Sequence, residues 1–241
     1  MPPTRDPRPR HQQIAAEIRD LIMRGELVPG ERLPSTSQLV ERYGAANATI
    51  QHALKALKDE GFLDSHVGKG VFVRDRQPFV IDAAAYIAPE PGRFRYRLLS
   101  VDTVLPPKEI ADGLRLAPED TAVVRTRLLL HDGQPVELSM SYYPGEIAAG
   151  TSLAQATKIR GGAPRVLADL GHPQHHFVDR ISARPPTTDE IEALDLPDGT
   201  PVIRQLRVIY SHQDRPVEAS TLIKGAHLYE LQYRQDAANA L

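Results

Sequence analysis

The stretch GAANATIQHALKALKDEGF, residues 44–62, reads as a helix with an unusual front. Ile50, Ala53, Leu54 and Leu57 recur at the spacing of one helical face, the pattern of a helix that buries that side. Gly61 stops it. Asn47 is a good N-cap type and places the start. Around that start stand only small, amide and hydroxyl side chains. Ala46 and Ala48 permit close approach, while Asn47, Thr49, Gln51 and His52 offer hydrogen bonds. A helix that only packs has little use for such a front.

Reading outward, residues 11–24 place Ile14, Ile18, Leu21 and Ile22 on one helical face, and Gly25 can end that helix. VPGERLPS is a turn-rich connector. Ser35 followed by Gln38 has the form of a capping box. Ser35 and Ser37 therefore stand at the front of a second, short helix, whose apolar side is Leu39, Val40 and Tyr43. Gly44 sits where a left-handed residue must end it. Beyond Gly61, FLDSHVGKGVFVRD reads as two strands around Gly68-Lys69-Gly70. Helix, short helix, tight turn, helix and hairpin is the layout of a winged helix-turn-helix. In that layout the front of the third helix, with Ser35 and Ser37 beside it, enters the DNA major groove, and Gly68 and Lys69 at the wing tip meet phosphate or the minor groove. The bland alternative is a small helical domain with no nucleic acid.

Composition sets the outer limits. A formal net charge of -2 over 241 residues excludes a polybasic binder. Up to Arg76 there are 12 basic and 10 acidic residues, and beyond it 17 and 21. A mildly basic front and an acidic back fit a nucleic-acid module joined to something else. Cysteine is absent, which removes disulfides, thiol catalysis and thiolate metal sites and suits a reducing cytoplasm. No apolar run approaches the roughly 18 residues of a membrane span. MPPTRDPRPR is no secretory signal. Residues 1–10 read as a disordered arm, either a solvated tail or one that touches DNA. Residues 11–75 read as the DNA-binding domain, 76–83 as a linker, 84–234 as a second domain and 235–241 as a tail.

The second domain alternates strands and turns, with short helices near 107–114, 163–170 and 186–194. It contains a repeat: LRLAPEDTAVVRTRLLLHDGQPVELSMS can be laid over LDLPDGTPVIRQLRVIYSHQDRPVEAST. Each copy is a helix end, a turn, a strand, a hairpin turn and a strand opening Pro-Val-Glu. Asp132-Gly133 is a strong hairpin signal. Two such units pair into one antiparallel sheet with helices on one face, an α+β domain. The overlay sets Glu137 against Glu218 and Arg125 against Arg204. Such pairs converging across a sheet can build a polar pocket. Their plainer reading is cross-strand pairing on a wet face. Adjacent histidines on a strand point to opposite faces, so His172, His175 and His176 do not read as a metal site. Tyr142 and Tyr143 read as packing.

Residues 11–75, through QQIAAEIRDLIMRGELVPGERLPSTSQLVERYG, ATIQHALKALKDEGF and GKGVFV, resemble the N-terminal domain of GntR-type bacterial transcription regulators. The chain departs from that pattern at Ser37, at Ala46-Asn47 and at Gln51, where the family commonly has arginine or Ser-Arg. Without those guanidinium groups, bidentate Arg-to-guanine contacts cannot form there, so the expected site carries more A·T contact and a shallower salt dependence.

Residues 80–233, through VVRTRLLLHDGQPVELSMSYYP, VLADLGH, ALDLPDGTPVIRQLRVIY and RPVEASTLIKG, resemble the UTRA effector-binding domain of the HutC subfamily, with its chorismate-lyase-like fold. The resemblance implies an effector held among Arg125, Arg127, Glu137 and Glu218, with Lys224 beside them. Gly162, Pro164 and Lys224 stand where sugar-phosphate-binding members carry other residues, so a hexosamine phosphate is not implied. The arginines and Lys224 suit an anionic group. The resulting expectation is a cytoplasmic homodimer that binds a palindromic double-stranded DNA operator and responds to a small anionic effector, without cofactor, metal or catalytic constellation. Two alternatives stand beside it: a regulator whose second domain only dimerises, and a lyase-like enzyme carrying a DNA-binding head.

Overall fold

A computed structural model describes residues 6–66, 68–75, 79–82 and 94–233, with side chains at all of these except 79, 81 and 82. The chain divides into two compact units, residues 1–78 with 197–200 and residues 79–196 with 201–241.

The first unit contains α1 (Arg10–Met23), α2 (Thr36–Tyr43), α3 (Asn47–Asp59), β1 (Leu63–His66) and β2 (Gly70–Val73). Its core joins Ile14, Ala15 and Ile18 of α1 to Leu39 and Tyr43 of α2 and to Ile50, Ala53, Leu54 and Leu57 of α3. Leu21 and Ile22, expected on the same face, are only half-buried. Arg10, assigned to the arm from sequence, opens α1, and Gln13 Nε2 donates to the Asp6 and Arg8 carbonyls at 3.1 and 2.7 Å. Residues 1–5 lie outside the described residues.

α2 carries the capping box in full, with the Ser35 hydroxyl accepting from the Gln38 N–H and the Gln38 side chain from the Ser35 N–H. Gly44 ends α2 at φ 56° and makes the turn into α3. The sequence expectation of Asn47 as the cap of α3 does not hold, and Asn47 is instead its first helical residue. The first bond of α3 runs from the Ile50 N–H to the Ala46 carbonyl at 3.2 Å, so Ala46 is the cap, and no side chain caps the helix. β1 and β2 pair antiparallel from Leu63–Val73 to His66–Gly70.

The second unit opens with β3 (Phe79–Asp82), followed by β4 (Phe94–Val104), α4 (Lys108–Leu114), β5 (Ala122–His131), β6 (Gln134–Pro144), α5 (Gly145–Ala148), α6 (Gly162–Asp169), β7 (His176–Arg184), α7 (Thr188–Leu194), β8 (Val202–Tyr210), β9 (Pro216–Gly225) and β10 (Tyr229–Gln232). Residues 79–82, placed in the linker from sequence, form a parallel pair with β10. Residues 76–78 and 83, and the tail 235–241, lie outside the described residues. The main sheet is antiparallel, in the order β4-β5-β6-β9-β8-β7.

The repeat is visible in the backbone. α4 and α7 both end on a left-handed residue, Arg115 and Asp195. Asp132 and Gly133, at φ 48° and 84°, make the two-residue turn of the first hairpin. The second turn, His212–Asp214, is one residue longer. Each hairpin has a bulge just before its glutamate: Leu129 pairs with Glu137 but Leu130 with Pro135, and Ile209 pairs with Glu218 but Tyr210 with Pro216. Val136 and Val217 are the extra residues.

One face of the sheet is apolar and carries α4 and α7, which bury Ile110, Leu114 and Leu194 against Val124, Leu206, Leu138 and Ile223. The other face is apolar mainly toward its two ends, and between them Leu222 of β9 stands among the polar side chains. At one end Val123, Tyr143 and Ile209 pack under α5 and α6, and at the other Leu129 and Val136 pack under β10.

α7 has its own capping box, Thr187 with Glu190, and Arg184 donates to both Glu190 carboxylate oxygens at 2.7 and 2.6 Å. Those bonds hold the Glu190 carboxyl below its ordinary range, against the opposing effect of burial. A depressed carboxylate pKa stabilises the fold above the unfolded value, and that contribution is lost as pH falls through the folded value. Glu190→Gln is expected to cost about 1–2 kcal/mol at neutral pH, from a partly buried charged bond. The difference from wild type should shrink below about pH 4. Urea unfolding at both pH values reads this, and an equal difference at both would refute the assignment.

Candidate functional site

The front of α3 is open. Ala46, Asn47, Ala48, Gln51 and His52 are exposed, and Thr49 is half-buried. Ser35 and Ser37, also exposed, sit beside this front at the start of α2, with their hydroxyls 3.0 Å apart. Gln51 Nε2 donates to Thr36 Oγ1 at 3.1 Å and so ties the two helix starts together. His52 meets the ring of His11 edge-on at 5.9 Å between centroids. Gly68, at φ 73°, and Lys69 form the exposed turn of the hairpin. Gly70, at φ 114°, lies under Arg32, where a Cβ would meet the guanidinium Nε at 2.9 Å. Arg32 therefore shares the wing, a placement the sequence did not signal.

The second candidate site is the middle of the polar sheet face. Strand alternation places Arg125, Arg127, Glu137, Ser139, Ser141, Glu218, Ser220 and Lys224 on it. Ser141 pairs with Arg125 and with Ser220, and Ser220 pairs with Arg207, so one row crosses four strands. All the residues of that row are buried.

Arg125 is committed to the segment after α5. Its guanidinium donates to the carbonyls of Leu153, Gln155 and Thr157 at 2.7–2.8 Å. Arg127 donates to Ser141 Oγ at 2.7 Å and lies over the Tyr96 ring. The chain of hydroxyls continues from Ser141 to Ser220 at 2.7 Å, and Ser220 donates to Glu218 at 2.8 Å. Glu137 and Lys224 hold each other at 3.0 Å, both about 2% exposed. Burial pushes the Lys224 ammonium below its ordinary range, and the Glu137 charge opposes that. Tyr229 donates to the same Glu137 oxygen, and its phenol is pushed up, first by burial and then by that charge.

The overlay of Arg125 on Arg204 is corrected. Two residues beyond each glutamate stand Ser139 and Ser220, which pair with Arg127 and Arg207. The structural counterparts are therefore Arg127 with Arg207 and Arg125 with Gln205. Arg204 lies on the opposite face and pairs with Glu109 of α4. A one-residue slip along a strand reverses the face, and the matching letters of VVR and VIR conceal it. Sequence reasoning thus missed Arg207, which holds Asp179 through two bonds of 2.8 Å and lies over Phe177. It also missed Gln205, whose amide joins Lys224 at 3.0 Å to Asp179 at 2.9 Å. The available signal was serine two and four residues after Glu137 and two after Glu218, at positions a packing sheet fills with apolar side chains.

The Ser139 hydroxyl, 1% exposed on this face, has no hydrogen-bond partner among the described residues. Four basic side chains here (Arg125, Arg127, Arg207, Lys224) face three acidic ones (Glu137, Asp179, Glu218). Among the described residues no group of three His, Asp or Glu could hold a metal ion. His175 instead packs on His212 and His176 stacks on Tyr210. No described helix is long and apolar enough to cross a membrane.

Comparison with known proteins agrees with this division. Residues 10–73 match the family model of bacterial regulatory proteins, gntR family, and residues 91–229 match that of the UTRA domain. The HTH-type transcriptional regulator SCO4628 of Streptomyces coelicolor is 31% identical over 217 residues, 81% of each chain. The HTH-type transcriptional repressor NagR of Bacillus subtilis is 24% identical over 85% of each. The crystal structure of PhnF from Mycobacterium smegmatis superposes with a TM-score of 0.56 at 20% identity, covering 93% of this chain and 99% of that one.

Proposed function

The chain belongs to the gntR family of bacterial regulatory proteins, with a UTRA domain as its second half, and on that premise we propose that it is a ligand-responsive repressor. It is a DNA-binding transcription regulator, and its relatives and domains are not those of an enzyme. In the proposed mechanism a homodimer binds a palindromic operator through two winged helices, one α3 in each half-site. A small anionic effector on the polar sheet face changes the balance between operator-binding and released arrangements, by its differential affinity for the two.

The observation that carries this reading is the buried polar row on the sheet. Buried hydroxyls and guanidinium groups cost free energy unless they are hydrogen-bonded. A face meant only for packing would not retain Ser139 without a partner next to Arg127. The excess of one positive charge favours an anion. In this reading Arg127, Ser139, Ser141 and Ser220 meet the effector, Glu218 takes a hydroxyl or amine, and Arg125, Glu137 and Lys224 frame the site. The internal pairing of Lys224 with Glu137 favours the second reading, a domain that only dimerises.

A thermal-shift screen of the full chain against phosphate- and carboxylate-bearing small molecules separates the two. A hit should release a bound duplex, and Arg127→Ala should weaken it by about tenfold to a hundredfold, the worth of a charge-assisted bond. A well-folded protein that responds to no compound would leave dimerisation as the role of this domain.

A further inference from the structure

We propose that Thr36 is a positioning residue for DNA reading: it fixes the amide of Gln51 so that Gln51 selects adenine. The inference rests on the DNA-binding reading and goes beyond it by assigning one base and a second residue behind the contact.

The short helix α2 sets the position of Thr36. Its capping box locks Ser35 and Gln38 together, through Ser35 N to Gln38 Oε1 at 2.8 Å and Gln38 N to Ser35 Oγ at 3.3 Å. Thr36 is the residue between them that opens the helix, so the box fixes its backbone. Gly44 then turns the chain so that α3 returns alongside, and Gln51 Nε2 comes to 3.1 Å from Thr36 Oγ1. Gln51 itself is exposed at the front of α3.

A glutamine amide has two N–H donors and one carbonyl acceptor. Thr36 takes one donor. What remains is one donor and one acceptor, the complement of the N7 acceptor and N6 donor of adenine in the major groove. Guanine shows two acceptors there, O6 and N7, and a Gln51 with one donor committed cannot satisfy both. Without Thr36 the amide can rotate and offer two donors or the reverse order, and the discrimination is lost. The effect is on selectivity, because the number of phosphate contacts is unchanged.

The test is in vitro selection from a random duplex library with the full-length protein, followed by affinity measurement on single-base variants of the selected site. Wild type should enrich adenine at one position that Gln51→Ala alone renders indifferent. Thr36→Val, nearly the same shape without the hydroxyl, should lower the preference for adenine at that position by about fivefold or more, the lower end of a bidentate pair's worth. Other positions and the thermal midpoint should not change, and Thr36→Ser should restore the preference. A Thr36→Val profile identical to wild type would overturn the proposal. So would guanine at the position Gln51 controls, because that requires the threonine hydroxyl to donate to the amide oxygen. Failure of wild type to enrich any sequence would instead remove the DNA-binding reading beneath it.

Discussion

Replacing Lys224 by methionine is expected to destabilise the second unit by about 3–5 kcal/mol, the cost of leaving one partner of a buried ion pair uncompensated. Lys224 and Glu137 stand opposite each other on β9 and β6 at 3.0 Å, both about 2% exposed. The methionine fills most of the lysine's volume, so the loss is one of charge and not of packing. Glu137 would retain the Tyr229 hydroxyl at 3.4 Å, a long bond and a poor substitute for an ammonium. The double variant Lys224→Met with Glu137→Gln should recover most of the loss, because it removes both charges. Hydrogen exchange at the β6 and β9 amides in increasing urea reads the second unit separately from the first. A single variant within about 1 kcal/mol of wild type would mean the pair is neutral in the folded state. The pH dependence has a definite sign. A lysine pKa depressed by folding penalises the fold while both states are protonated. The penalty lifts as pH rises from the folded value toward 10.5, so this group's contribution grows more favourable in that window.

The same pair illustrates what a sequence can and cannot carry. Glu137 and Lys224 were each recognisable as polar residues on strands, and both belong to the buried face. That they neutralise each other depends on the register between β6 and β9, which joins residues 87 positions apart and leaves no local trace. The two bulges at Val136 and Val217 compound the difficulty, because an unpaired residue shifts the face of everything after it. Arg204 and Arg207 are separated by three positions and lie on opposite sides of the sheet for that reason. Asp179 comes from outside the repeat altogether. β3 was read as linker because its partner, β10, begins 150 residues later.

Elements governed by near neighbours were legible. The capping box of α2, the left-handed Gly44, the buried face of α3 and the Asp132-Gly133 turn are all decided within a few residues, by sterics and backbone hydrogen bonding. The repeat was legible because strands alternate and the second strand of each copy opens with Pro-Val-Glu. The start of α3 missed by one residue. Asn47 has the chemistry of a cap, yet the burial of Ile50 sets the helix's phase and the first backbone bond falls on Ala46.

That exposed start is where the largest functional effect is expected. Ala48→Glu should weaken operator binding by about a hundredfold or more while leaving the fold intact or slightly steadier. The two consequences have opposite signs because one charge meets two different fields. α3 has no acidic residue in its first turn, and Ala46 offers no side-chain cap. A carboxylate there interacts favourably with the unpaired N–H groups of the helix start, by roughly 0.3–1 kcal/mol. Against DNA the same carboxylate faces a dense line of phosphates, and it must be desolvated on entering the groove. Like charge at a docked surface costs several kcal/mol. Ala48→Gln adds similar bulk without the charge and should cost much less, so the pair separates electrostatics from crowding. Fluorescence anisotropy with the duplex recovered by in vitro selection, beside thermal unfolding of each variant, makes both readings. If Ala48→Glu binds that duplex as tightly as wild type, the front of α3 does not face DNA. If it binds weakly but also melts early, the loss reports on folding and not on the interface. Weak binding with an unchanged or raised melting temperature is the outcome that places α3 in the groove.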